Sequence, residues 1–284
     1  MASRIFRMAV GPSVNGARSR RYGGGSSSSY DPLTLFAGGR EGFWYDYSDL
    51  STLFQERTGA SATTPAGVDD PVGTVLDKSG NENHAWAGAD AARPILRYSD
   101  GLYWLDWDGV DDYFLTAPID FTGTDKMTVF TGHQIALYLV RMLLELSPNS
   151  NTNPGAWQVS TETSGQSVCG ARGDTSAAAV VGANYPLSVA RVHTALFDLA
   201  APGRNTECLQ RTNGADDNAY WAGPVDNDGG NFGEHALYIG GRGGTSLFFQ
   251  GRTHQMICVG ADLTIDEIRD AELYVADKTG VVLA

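Results

Sequence analysis

Disulfides, membrane spans and catalytic signatures are what this sequence has little of. Its 284 residues hold three cysteines. Cys169, Cys208 and Cys258 are odd in number, far apart and outside metal-ligand spacing, which excludes a disulfide framework and a thiolate zinc site and predicts small buried apolar side chains. The longest apolar run, Ile135 to Leu146, is interrupted by Arg141 and falls short of the roughly 20 residues that a spanning helix needs. No G-x-S-x-G elbow, H-E-x-x-H pair, phosphate loop or local Cys/His pair is present. The first residues offer no uninterrupted apolar segment before Gly11-Pro12, so no secretion signal is expected and synthesis in a cytoplasm is. Charged residues make up only 19% of the chain.

What is abundant is glycine. Thirty-five Gly and eleven Pro, with no three-residue period, exclude collagen and favour the many tight turns of an all-β chain. A hydrophobic content of 42% with 10% aromatics supports one large or two modest cores and excludes disorder. The net charge of −13 conceals an asymmetry. Residues 1–21 carry Arg4, Arg7, Arg18, Arg20 and Arg21 and no acid, leaving fifteen bases against 33 acids on the remainder. That balance argues against a nucleic-acid or anionic-membrane surface on the main body. The Gly/Ser run 23–29 then divides a basic, extended arm (1–29) from a body (30–284). The arm suits anchoring to an acidic partner surface, to nucleic acid or to a neighbouring copy, although disorder of an unattached terminus is the more ordinary reading of such a composition.

Within the body, short β-rich runs recur between turn signals. Tyr103 to Trp107 and Tyr113 to Thr116 read as a hairpin across Asp108-Gly109, and Met127 to Thr131, Val192 to Phe197, Cys208 to Arg211, Ala236 to Ile239 and Leu247 to Val259 read as further strands. The expectation is an antiparallel jelly-roll sandwich. Two helices interrupt it: a short one around Ser48 to Gln55, and one opening at Thr264 with the capping-box spacing Thr264-Ile265-Asp266-Glu267 and closing near Lys278 and Gly280.

Several blocks are specific enough to resemble a family. They are Trp44-Tyr45-Asp46, Ser48 to Gln55, Leu76 to His84, Ala92-Arg93-Pro94, Leu105 to Tyr113, Asn213-Gly214, Ile239-Gly240-Gly241, Phe249-Gln250-Gly251 and Tyr274 to Gly280. In this order they resemble the laminin-G-like, concanavalin-type jelly-roll domains of tailed bacteriophage and prophage proteins, over roughly residues 35–284. Tyr47 stands where the phage block commonly has Pro, and residues 135–190 match no block. The resemblance implies a non-enzymatic virion structural protein, on tail or head, whose arm binds other virion proteins or further copies and whose body recognises host-surface polysaccharide. The alternatives are a capsid decoration or cement protein without glycan binding, and a glycan hydrolase.

A hydrolase on this fold carries alternating carboxylates on one strand, a pattern that is absent from this reading of the acids. Asp266, Glu267, Asp270 and Glu272 scatter round a helix. A glycan site needs an aromatic platform beside acids and amides on loops. Asn213 to His235 supplies Asp216, Asp217, Tyr220, Trp221, Asp226, Asp228 and Phe232, and Trp157 sits in a second such loop; the competing reading is that Trp221 and Trp157 anchor loops to the core. No cofactor is expected except calcium, for which Asp226, Asp228 and Asn231 offer the richest oxygen density, although turns need the same residues. His84 reads as a structural hydrogen-bonder, and Arg172-Gly173-Asp174 as a chance tripeptide.

Overall fold

The computed structural model describes residues 30–174, 177–222 and 229–284. The arm with its five arginines, and Asp226 and Asp228, lie outside the described residues. The strands are β1 (Gly42–Asp46), β2 (Leu53–Phe54), β3 (Thr74–Val75), β4 (Ala85–Ala87), β5 (Ile95–Ser99), β6 (Leu102–Asp108), β7 (Phe114–Asp120), β8 (Lys126–Ile135), β9 (Arg141–Leu146), β10 (Trp157–Thr161), β11 (Ser167–Arg172), β12 (Ala177–Val181), β13 (Arg191–Asp198), β14 (Cys208–Thr212), β15 (Ala215–Asp216), β16 (Tyr220–Ala222), β17 (Glu234–Ile239) and β18 (Gln250–Val259). A one-turn helix α1 (Arg204–Glu207) and a long helix α2 (Ile265–Thr279) complete the list.

Two antiparallel sheets form the body. The first runs β15-β14-β13-β8-β18-β6-β5, with β1 also paired to β18; the second runs β16-β12-β11-β10-β9-β17-β7-β4-β3-β2. Alternation along each strand sends one set of side chains between the sheets. Leu105 and Trp107 of β6, Met127 and Val129 of β8, Trp157 and Val159 of β10 and Leu237 and Ile239 of β17 meet there in one buried cluster. The expected all-β sandwich is what the chain forms. The three cysteines are free and buried, and burial raises their thiols above the ordinary range.

Helix α2 lies on the outside of the first sheet. Its Ile268, Ala271, Val275 and Ala276 pack with Phe130, Val192, Ile257 and Val259, forming a second core. Its ends follow from sequence. Thr264 Oγ1 accepts from the N–H of Glu267, whose carboxylate accepts from Thr264 N–H, a reciprocal cap worth about 1 kcal/mol. Gly280, at φ 72°, makes the left-handed stop. Asn213 and Gly214, at φ 53° and 84°, form the two-residue turn between β14 and β15.

Two expectations are corrected. The run from Tyr103 to Thr116 is not a hairpin: β6 pairs with β5 and β18, whereas β7 pairs with β4 and β17. The chain crosses from one sheet to the other at residues 109–113, so Trp107 and Phe114 meet edge to face at 5.3 Å across the core rather than side by side in one ladder. The segment Ser48 to Gln55 is a 3-10 turn, Leu50–Thr52, followed by β2. Asp49 accepts from the N–H and hydroxyl of Ser51, a local bond that competes with helix propagation, and Leu53 pairs with Val75 in the sheet. Residues 135–190, which matched no block, supply the four neighbouring strands β9 to β12.

Candidate functional site

Helix α2 covers only part of the first sheet's outer face. A β-bulge between Thr253 and Gln255 reverses the alternation of β18, so that Ile257 and Val259 on one side of it face α2 while Arg252 on the other faces outward from the uncovered half. There the register sets Ile95, Asp106, Arg252 and Gln134 side by side across β5, β6, β18 and β8. One step along, Asp108 stands opposite Gln250. These residues floor a cleft of about 590 Å³, walled by Arg93, Arg97, Asp112 and Ser188.

The cleft is polar and balanced in charge. Arg252 lies with its guanidinium 4.5 Å from the Trp104 ring centre, which fixes a flexible side chain in place. Arg97 pairs with Asp69 at 2.6 Å and stands 3.7 Å from Asp106; Arg93 donates to the carbonyls of Gln55 and Asp90. At the turn after β6, Asp108 Oδ1 accepts from Val110 N–H at 2.7 Å, and the buried Asp112 accepts from Asp108 N–H at 2.9 Å. Burial pushes the Asp112 carboxyl up to about 7, against the lowering effect of that N–H and with help from the charges of Asp108, Asp111 and Asp106. Carboxylate oxygens of Asp108, Asp111 and Asp112 lie within 4.8 Å of one another. Asp108 and Asp112 are thus bound into the turn, and Asp106, half-exposed and in a loose pair with Arg97, stands beside Arg252 and Gln134. Such an acceptor, a planar cation and an amide on rigid strands are suited to paired hydroxyl groups.

Among the described residues, those expected to bind glycan do not come together. Trp157 and Phe232 are 0% and 1% exposed and belong to the sandwich core. They are corrected here to packing residues, with no ring face for a sugar. Tyr220 and Trp221 are successive residues of β16 and point to opposite faces. Trp221 packs against the core and donates from Nε1 to Cys208 O at 3.1 Å; Tyr220 is 51% exposed at the sheet edge. Asp216 pairs with Arg211 at 2.7 Å. Asp217 accepts from Ala183 N–H and the Thr212 hydroxyl, both at 2.7 Å, and ties two loops together. Asn231 donates to Thr122 O at 2.7 Å; its expected calcium partners Asp226 and Asp228 lie outside the described residues. His84 accepts from Asp77 N–H at 3.0 Å, a structural bond.

Contrary to the expectation of no alternating carboxylates, Asp106 and Asp108 flank the core residue Trp107 on β6 and share its outer face. The signal was present. Trp104, Asp106 and Asp108 alternate with the core residues Leu105 and Trp107.

No family model matches the chain, and no curated protein matches its sequence. Solved structures are similar in fold. The binding domain of botulinum neurotoxin serotype G superposes with a TM-score of 0.55 at 8% identity, over 82% of this chain and 50% of that one. That of serotype D gives 0.54 at 7% identity, over 82% and 50%. A Trypanosoma rangeli sialidase in complex with the inhibitor DANA gives 0.52 at 14% identity, over 83% and 33%. The chain therefore spans about half the length of the toxin binding domains, and at these identities the likeness is one of fold: an antiparallel β-sandwich shared with binding domains and with a sialidase.

Proposed function

We propose that this chain is a non-catalytic carbohydrate-binding jelly-roll protein of a tailed-phage particle, its cleft holding a host-surface polysaccharide and its arm attaching the body to other virion proteins. The observation that carries the binding role is the row Asp106, Arg252, Gln134 on the half-sheet that α2 leaves uncovered. The particle assignment is supported by the ordered phage-like blocks and by the contrast between an arginine arm and an acidic body. Similarity in fold to solved binding domains agrees with the role. The test is to probe purified particles with antibody to the body, and separately to measure retention of the protein on polysaccharide from the host surface. Absence from particles defeats the virion reading, and absence of retention defeats the binding reading.

A second reading, glycan hydrolysis, is favoured by Asp106 and Asp108 on one strand face with a carboxyl raised to about 7 beside them, a pairing of ionised and protonated acids that glycosidases use. Against it, Asp108 and Asp112 are already engaged in closing the turn. Release of reducing ends from the retained polysaccharide, lost in Asp106→Asn, would establish hydrolysis in place of binding alone.

A further inference from the structure

The loop between β8 and β9 and the loop between β12 and β13 run side by side at one end of the cleft, where Ser188 N–H donates to Ile135 O at 2.9 Å. Ile135 and Leu187 pack against the core, whereas Gln134, Ala136 and Ser188 line the cleft. Two residues away on each loop, Tyr138 and Pro186 line a second hollow of about 480 Å³, together with Thr163, Ser164, Asn184 and Tyr185. Two residues of chain span at most about 7 Å. The hollow and the cleft therefore adjoin.

No charged side chain lines this hollow, although the chain as a whole carries a net charge of −13. What it offers instead is two tyrosines beside small polar groups. Tyr138 is 43% exposed, and its ring lies against Gly165, where a Cβ would come within 2.6 Å of the ring edge. Tyr185 is held from two sides: the Arg191 guanidinium stacks 3.9 Å from its ring centre, and its hydroxyl accepts from Asn213 Nδ2 at 2.8 Å. The Ser164 hydroxyl donates to Gln166 Oε1 at 2.6 Å. The exposed Thr163 hydroxyl and Asn184 side-chain amide make no hydrogen bond among the described residues.

Rings that are already held lose little freedom on binding. A tyrosine face beside hydroxyls and an amide matches the apolar face of a sugar ring and the hydroxyls around its rim. The neighbouring Leu137, Leu139 and Val189 are exposed as well, and such a crest by itself fits a lipid surface; the polar lining of the hollow and its continuity with the cleft favour a sugar.

We propose that Tyr138 and Tyr185 frame a second sugar subsite that continues the cleft, so that the protein holds an extended stretch of polysaccharide running from Arg252 toward Tyr138. The proposal rests on the carbohydrate reading of the cleft and adds to it the length and path of the bound chain.

The test uses host-surface polysaccharide, partially hydrolysed and separated by size, with disaccharide and octasaccharide fragments titrated into the full chain. The wild type should bind the octasaccharide about tenfold tighter than the disaccharide, the gain from one further subsite. Tyr138→Ala and Asn184→Ala, both at exposed positions and checked for an unchanged melt, should lose that gain and leave disaccharide affinity unaltered, whereas Tyr138→Phe keeps the ring and the gain. Arg252→Ala should weaken both fragments, because it acts in the cleft. Octasaccharide affinity unchanged in Tyr138→Ala overturns the subsite and leaves the cleft reading standing. A wild type that binds neither fragment defeats the cleft reading and the subsite with it. Phosphatidylcholine vesicles that hold the wild type but not Tyr138→Ala, with octasaccharide affinity the same in both, would assign the tyrosines to a lipid surface and overturn the proposal too.

Discussion

The backbone N–H of Asp108 donates to Asp112 Oδ2 at 2.9 Å, and this bond closes the turn by which the chain leaves one sheet and enters the other. The carboxyl that accepts it is buried among three acids and is pushed up to about 7. A carboxyl whose folded pKa lies above its unfolded value contributes stability that is complete below the unfolded value, near 4, and lost as pH rises through 7. Asp112→Asn keeps an acceptor and removes the charge. Urea midpoints should therefore show the variant gaining on the wild type between pH 4 and pH 8, with most of the gain below pH 7; a constant difference would place the Asp112 carboxyl in water.

The opposite sign applies to the histidines. His193 is fully buried with its Nε2 2.9 Å from Gln210 Oε1, and burial, opposed by that contact and aided by the charge of Arg191, lowers it to about 4; His254 is likewise lowered to about 4. The unfolded chain binds protons at these sites first, so stability is present above pH 6.5 and declines as pH falls toward 4. Each histidine accounts for about 3 kcal/mol at most. In His193→Gln the decline in unfolding free energy between pH 6.5 and 4.5 should be visibly shallower than in the wild type. Identical slopes would contradict the buried neutral imidazole.

Much of the architecture was legible in the sequence. The strand at Met127, the paired segments at Val192 and Cys208 and the capped final helix all follow from period-two alternation, turn residues and a capping box, which are local signals. The cleft was not, because it depends on which sheet each strand joins. Tyr103 to Thr116 reads identically whether β6 and β7 are neighbours or lie across the core, and the bulge at Thr253 to Gln255, which decides that Arg252 faces out, has no mark in the sequence. Trp157 and Phe232 misled for the same reason: Asn, Asp and Gly around an aromatic identify a loop without saying which way its ring points.

Trp221 separates a platform from an anchor. Its ring rests on the core and its Nε1 donates to Cys208 O, so Trp221→Ala should lower folding stability by about 2 kcal/mol, less than the 3–5 of a fully buried Trp, and leave polysaccharide retention unchanged. An unaltered melting temperature with lost retention would return the glycan site to the loop after Asn213.

The most direct measurement is calorimetric titration of host-surface polysaccharide into the wild type, Arg252→Ala and Asp106→Ala, with melting temperatures recorded alongside. If the uncovered half-sheet is the binding face, each variant loses at least tenfold in affinity, about 1.4 kcal/mol, while both melts stay within a few degrees of the wild type, because Arg252 and Asp106 lie on the open side of the sheet. Wild-type affinity in both variants would contradict the account and move the binding face elsewhere on the sandwich.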